Sequence, residues 1–383
     1  MTEPYHAASS RRTTAMKTFA LAALLAPALF AQNTGITLNN AIDGYVEVPY
    51  SPEVVPQSGI TVEAWITYDD TTLGSGWRYP TILRQNRNAG QESYFLRVEA
   101  NNVNNKAIRW LVTANSTLTV DWPFTSGQLL TWTHVAGTWD GQTARLFVNG
   151  VEVASRTGSG PLRDRGDVLR IGKGSDVATP IEVWNGSLDE VRIWPFARTA
   201  AEITATMNLE LASIPGQVST WNFNNDATDS SSGRNGTVSG GVAFTSSPTL
   251  TPYTFIGLQS ASGTPGCLGT IEATTSSLAR QGNPGFAIVG HRFPGNAQAI
   301  VVISSGLTSP AFPILGIDLW LDPNGLIGGY PVAVSALGTA RLPLSIPANV
   351  AIGAVLAAQF VAVDACGPQG LTASRAVLFA VQS

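Results

Sequence analysis

Between Ile36 and about Phe244 apolar and polar residues alternate with period two. Ile60-Thr61-Val62-Glu63-Ala64-Trp65-Ile66 is the clearest case. A strand throws successive side chains to opposite faces, so this segment predicts a strand with one buried face. The same pattern recurs at Tyr45–Val48, Tyr94–Val98, Ile108–Val112, Leu118–Val120, Thr133–Thr138, Arg145–Val148, Val151–Ser155 and Val168–Ile171. Asn149-Gly150 separates two of these runs. Both residue types tolerate the positive φ of a type I′ turn, so the pair predicts a hairpin. Turn signals about every ten residues suit a sandwich of two antiparallel sheets. One helix interrupts the strands. In Thr199-Ala200-Ala201-Glu202 the threonine accepts from an orphan amide and the glutamate reaches back, which is a capping box. Ala-rich sequence carries the expected helix to about Leu211. Trp221-Asn222-Phe223, the polar loop Asp226–Gly236 and a weak strand to Phe244 are expected to complete the same sandwich.

The pattern breaks at Ser246–Pro252. Beyond it, strand-like runs are Ala299–Ser304, Gly316–Leu321, Ala340–Ser345, Val355–Val363 and Ala376–Val381. Residues 253–383 contain no lysine and carry charge only at Glu272, Arg280, Arg292, Asp318, Asp322, Arg341, Asp364 and Arg375. The expected organisation is an upstream segment and export signal over 1–31, a first domain over 32–245, a linker over 246–252 and a second β domain over 253–383. The fold class is all-β: a two-sheet antiparallel jelly-roll followed by a smaller β-sandwich-like domain. Both cysteines, Cys267 and Cys366, fall in the second domain. In an exported protein such a pair forms one disulfide. It closes a loop of about 100 residues, worth on the order of 4–5 kcal/mol in the chain-entropy model. Two free buried thiols are the other reading.

Composition narrows the chemistry. Only 13% of residues are charged and the net charge is −4, so no basic field exists to hold nucleic acid or an anionic membrane. The 44% hydrophobic share argues against disorder. With 3 His and 2 Cys in 383 residues, a His/Cys metal centre is nearly excluded, and any metal is expected to be held by oxygen.

The N-terminal region reads as an export signal. Phe19–Phe30 is an apolar run too short to span a bilayer, Lys17 supplies the charge before it, and Ala31 is a small residue at a cleavage point. The polar residues 1–15 are out of place upstream of such a signal, which makes Met16 the expected true start. A Sec-type signal implies a secreted or envelope-located protein without stable membrane insertion.

Four segments in order resemble the laminin-G-like jelly-roll domains of the concanavalin A-like lectin/glucanase superfamily. They are Ile42-Asp43-Gly44-Tyr45-Val46-Glu47-Val48-Pro49, Ile60–Ile66, Trp132-Thr133-His134-Val135-Ala136-Gly137-Thr138-Trp139-Asp140-Gly141, and Leu188-Asp189-Glu190-Val191-Arg192-Ile193-Trp194. The resemblance covers about Ile36–Leu211. It departs at Leu38-Asn39-Asn40 and at Gly44, where the family carries an FDG and a second aspartate. Trp221–Thr237 is similar to a segment that often flanks these domains. The C-terminal half resembles, more loosely, a Gly/Ala/Pro-rich β module at the ends of large exported bacterial proteins, through Gly266-Cys267, Gly282–Phe286, Ala358-Gln359-Phe360 and Asp364.

Some sandwiches of this superfamily hydrolyse glycosides with two carboxylates projected from one strand, in a Glu-x-Asp-x-x-Glu pattern. That pattern is absent. Asp189 and Glu190 are adjacent, so in a regular strand they point to opposite faces. No Gly-x-Ser-x-Gly elbow, His-Glu-x-x-His or P-loop is present. His134 lies inside a predicted strand and His291 stands alone, so both read as structural. The chain therefore reads as non-catalytic.

Two ligand classes remain. Asp43 and Asp189 sit in family motifs on strands that usually neighbour each other, and with backbone carbonyls they suit Ca²⁺. The bland reading is a turn-capping Asp43 and an arginine-paired Asp189. Asp226, Asp229 and Asn235 form an alternative oxygen cluster. A glycan or protein surface is the second class: Trp77 and Tyr79 lie in a Gly-flanked loop, Trp122 adjoins Pro123, and Arg84 adds polar contacts. The function the resemblance implies is recognition of carbohydrate or extracellular protein. The alternatives are a cell-surface scaffold without a pocket and a glycosidase with an atypical carboxylate pair.

Overall fold

The computed structural model describes residues 33–71, 73, 76, 78–176, 182–211, 214, 216–245, 247–253 and 257–383. The expected export signal and Trp77 lie outside the described residues. Two antiparallel sheets form the first sandwich. One runs in the order Val151–Thr157, Thr143–Val148, Thr133–Trp139, Ile60–Ile66, Gly186–Trp194, Ile36–Leu38, Ala243–Phe244, with Ser219–Trp221 paired to Gly186–Trp194. The other runs Thr237–Gly240, Gly44–Val48, Leu169–Ile171, Thr81–Gln85, Tyr94–Asn102, Asn105–Thr113, Thr117–Pro123. Every strand expected between Tyr45 and Ile171 is present within a few residues. Asn149 and Gly150 have φ of +49° and +79° and turn the predicted hairpin.

Alternation explains the first core. Val62, Ala64 and Ile66 join Val135, Leu146, Trp110, Trp139 and Leu188 between the sheets. The strand is nevertheless buried on both faces. The reason is the helix Ala200–Thr206, whose Ile203 packs on Ala136 and Phe147 outside the sheet. The capping box forms: the Thr199 hydroxyl accepts from the Glu202 amide, and the Glu202 carboxylate accepts from the Thr199 amide. The helix stops at Thr206 rather than near Leu211. Leu209–Leu211 is instead a strand pairing in parallel with Thr251–Tyr253, which takes in the end of the expected linker. A short Ala-rich helix gains little from propensity alone, and the apolar Leu209 and Leu211 are buried better as strand residues.

In the C-terminal part, a sheet ordered Gly257–Gln259, Val377–Ala380, Val355–Val363, Gln298–Ser304, Leu326–Ala333 faces a smaller one of Glu272–Thr275, Ala287–His291 and Thr339–Pro343. Phe286, Ile288, Phe293, Val301, Phe360 and Phe379 fill the space between them. Pattern reading missed the short Glu272–Thr275, and also Ala287–His291, Leu307–Ile314 and Leu326–Ala333, where Gly, Pro or Ser interrupts the alternation. Gln32–Ser383 forms one unit. Trp194, Phe196 and Leu211 from the sandwich share an apolar cluster with Leu278, Ala287 and Val289. Thr339 Oγ1 donates to Ser58 O at 2.6 Å, Arg341 Nη2 donates to Ala197 O at 2.9 Å, and Arg341 pairs with Glu202. No helix among the described residues is long and apolar enough to cross a membrane.

Candidate functional site

The residues singled out from sequence do not assemble into one site. Arg84 is buried, donating to Asn86 O, Asn88 O and the Glu92 carboxylate. It holds the 86–92 loop and is not a surface contact. Trp122 stands in register with the core residue Ile108. It stacks on Phe124 at 6.2 Å and packs against the core half-buried, so it is no exposed loop aromatic. Tyr79 is half-buried with the Arg97 guanidinium 4.3 Å over its ring, and Arg97 continues to Glu99, Arg109 and Asp121.

The calcium candidates do not fit a shared ion. Asp43 precedes Gly44–Val48 of one sheet and pairs with Lys173 at 2.8 Å, whereas Asp189 is buried in Gly186–Trp194 of the other. Asp189 Oδ1 accepts from the Glu190 amide, and burial followed by the Glu190 charge pushes its carboxyl well up. In the Asp226–Asn235 loop, Asp229 and Asn235 already accept hydrogen bonds from the loop's own amides and hydroxyls. Asp229 Oδ1 accepts from Thr220, Ser231 and Ser232, and its Oδ2 from Arg234 and the Ser232 hydroxyl. Asn235 Oδ1 takes the Asp229 amide and Asp226 Oδ1 the Thr228 amide. Cys267 and Cys366 are joined as a disulfide. Buried Asp364 accepts from the Cys267 amide at 3.0 Å and the Cys366 amide at 2.9 Å, which cages both half-cystines.

Strand alternation failed at one informative place. The register slips between Asp189 and Arg192, and Glu190 has φ +50°. This bulge keeps Asp189 and Glu190 both buried. Arg192 pairs with Glu190, not with Asp189, and Asn222 Nδ2 donates to Glu190 at 2.6 Å. Glu63 lies beside them, accepting from Arg198 and from Trp194 Nε1. Burial works against its charge, but Arg198 and Arg192 hold its carboxyl below the usual range. His134 is buried edge-on to Trp65 at 5.5 Å, and burial pushes its imidazole down to about 4. These charges lock the helix segment onto the sheet and are closed to solvent.

One open feature is a cleft of about 560 Å³ where the Pro52–Ser58 loop and the 216–234 segment meet the C-terminal sheets. That volume lies within the ~300–1,000 Å³ of small-molecule sites. Its charged lining is Glu53, Arg234, Glu272, Arg292 and Arg375. Arg234 lies 3.2 Å from Glu53 and Arg292 lies 3.9 Å from it. Glu272 stands opposite His291 in the strand register. Burial pushes the Glu272 carboxyl up, against the opposing pull of Arg375 and Arg292. Two more lining groups, Gln217 and His291, are more than nine-tenths buried, yet Gln217 Nε2 and His291 Nε2 have no hydrogen-bond partner among the described residues. A buried polar atom without a partner costs about 1–3 kcal/mol. Both atoms are closed to solvent in the cleft wall, so a ligand would meet them only after a side-chain rotation.

Residues 39–204 match the family model described as the concanavalin A-like lectin/glucanases superfamily. We call this matching segment the concanavalin A-like domain. The concanavalin A-like domain and its surroundings are similar to a Bacteroides ovatus protein described as carbohydrate binding, at 22% identity over 56% of this chain and 60% of that one, with a TM-score of 0.42. The chain thus spans about 60% of that relative's length. The native heptameric SAP-like pentraxin of Limulus polyphemus is similar at 14% identity, 58% and 99% coverage and a TM-score of 0.39. Domains LG4-5 of the mouse laminin alpha1 chain are similar at 10% identity, 91% and 81% coverage and a TM-score of 0.34. No curated protein matches the sequence.

The concanavalin A-like domain supplies only one wall of the cleft, through Glu53 and its loop; Arg234 follows the matched segment, and the C-terminal sheets bring Glu272, His291, Arg292 and Arg375. Sequence reading missed this convergence because Glu53 lies about 180 to 320 positions before the charged residues it meets. One signal was available. Glu272, Arg292 and Arg375 are three of the few charges in a nearly uncharged half, and such residues rarely lack a reason.

Proposed function

We propose that this is an exported, non-catalytic recognition protein that binds carbohydrate in the cleft between its concanavalin A-like domain and its C-terminal β part. The observation that carries the reading is that Gln217 and His291, whose buried Nε2 atoms have no hydrogen-bond partner among the described residues, line one open cavity together with charged side chains. Amides, imidazoles and carboxylates are the groups that hydrogen-bond sugar hydroxyls. A glycan array probed with the purified protein tests the proposal. Glycan-dependent signal that falls in Gln217→Ala supports it, and binding indifferent to Gln217 counts against the cleft.

One observation favours a glycosidase as the second reading. Glu53 and Glu272 share the cleft, and their carboxyls are pushed in opposite directions. Glu53 is lowered because backbone, Ser51 and Arg234 contacts outweigh its burial, and Glu272 is raised chiefly by burial. Such divergence is what an acid and its partner carboxylate need. Release of reducing ends from a bound polysaccharide, abolished by Glu272→Gln, would establish that reading.

A further inference from the structure

The cleft has a charge preference as well as a shape. Its lining holds three guanidiniums against two carboxylates, and the compensation is uneven. Arg234 is fully engaged: Nε donates to Ser51 Oγ at 2.8 Å, Nη1 donates to Val218 O at 2.8 Å, and Glu53 lies 3.2 Å away. Glu53 is thereby largely neutralised. Arg292 reaches Glu53 only at 3.9 Å, outside hydrogen-bond range, and its side chain is 43% exposed. Arg375 makes no hydrogen bond through its guanidinium and no ion pair within 4.0 Å among the described residues, although it is half-buried. Glu272 shares the cleft floor with both arginines and forms no ion pair with either among the described residues. A half-buried guanidinium that feels the Glu272 charge but makes no direct ion pair keeps its donors open, and five donors in a fork match a planar carboxylate.

Leu268 also lines the cleft. It sits beside Cys267, in a turn closed by the Gly266–Gly269 bridge and by the Asp364 cage. An exposed leucine held in that turn, with the exposed Pro52 also in the lining, gives apolar surface for the C–H faces of a sugar ring.

We propose that the cleft selects acidic saccharides, with Arg375 and Arg292 receiving the carboxylate of a uronic acid-type sugar while Gln217 and His291 take its hydroxyls. This rests on the cleft being the glycan site, as argued above. The class follows from the chemistry of two guanidiniums that make no hydrogen bond to a carboxylate among the described residues, next to neutral polar groups of the same cleft.

The test is titration calorimetry of the whole protein with a panel of uronic acid oligosaccharides and the same oligosaccharides after reduction of their carboxyl groups. Arg375→Gln, Arg292→Gln, Gln217→Ala and the distant surface variant Glu152→Gln are compared with the parent. The expected result is binding of at least one acidic oligosaccharide, at least tenfold weaker binding of its reduced form, and about tenfold loss in each arginine variant. Affinity should also fall as salt rises, and Glu152→Gln should leave it unchanged. Equal binding of acidic and reduced forms, with Gln217→Ala weakened and Arg375→Gln unaffected, overturns the acid preference and leaves the cleft as a glycan site. Binding insensitive to every cleft variant, or no binding of any member by the parent, overturns both readings. Circular dichroism of each variant separates loss of a contact from loss of fold.

Discussion

Glu63 and Arg198 form a buried ion pair in which one guanidinium nitrogen of Arg198 lies 2.8 Å from each carboxylate oxygen of Glu63. Arg198 reaches on to Glu202 O and Thr206 Oγ1, so the pair ties the helix to the central strand of the sheet. A carboxylate removed here leaves a buried cation with no counter-charge at that position. Glu63→Gln should therefore cost about 3–5 kcal/mol, read as a lowered denaturant midpoint with an unchanged m-value. A loss below about 1 kcal/mol would mean that Glu190 takes over the neutralisation.

Acid should weaken the fold before most carboxylates titrate. The imidazoles of His134 and His291 are pushed by burial from 6.5 to about 4 and about 3. Each binds its proton more readily unfolded, so the stability each contributes is complete above pH 6.5. It falls as pH drops from 6.5 toward the folded values. For His134 the full effect is on the order of 3 kcal/mol. Asp189 acts with the opposite sign, because its raised carboxyl costs stability as pH climbs from 3.8 through its folded value. Unfolding measured at pH 7, 5.5 and 4.5 should show the decline, and the decline should be shallower in His134→Gln. Parallel curves for parent and variant would remove His134 from the account.

Gly137 is where two aromatic-rich layers touch. A Cβ added there would lie 2.2 Å from Cδ2 of Trp110, which is itself fully buried and bonded through Nε1 to Thr138 O. Gly137→Ala should destabilise by about 1–3 kcal/mol through overpacking, with a change in tryptophan fluorescence in the folded state. A variant as stable as the parent would show that the Trp110 ring has room to shift.

Asp364 and the disulfide act together on the turn that carries Leu268. Asp364→Ala strips acceptors from the Cys267 and Cys366 amides, at about 1–3 kcal/mol. Reduction releases a 99-residue loop, worth about 4–5 kcal/mol in the chain-entropy model. Midpoints with and without reductant give both values. Glycan affinity should drop in the reduced protein if the turn positions the cleft mouth, and unchanged affinity would exclude that role.

Calcium should have no effect on stability. The oxygens of Asp229 and Asn235 already accept amides, and Asp43 faces Lys173. Melting temperatures in excess Ca²⁺ and in chelator should agree within about 1 °C. A rise with calcium that Asp43→Ala abolishes would restore the metal reading.

The period-two strands from Tyr45 to Ile171, the Asn149-Gly150 hairpin and the Thr199–Glu202 cap were determined by the sequence alone. Each depends on neighbours a few residues apart, and strand alternation and capping are local physics. The four motifs shared with the concanavalin A-like superfamily are local in the same way. Tertiary structure decided what those strands were covered by. It made Glu63 a buried ion-pair centre, bent Asp189-Glu190 into a bulge, ended the helix at Thr206, and turned Arg84 and Trp122 inward. It alone placed Gln217 and Glu53 against His291, Arg292 and Arg375. A cleft walled by segments hundreds of positions apart leaves no periodic trace, because the side chains that meet there are chosen for the gap between two surfaces and not for the strand that carries them.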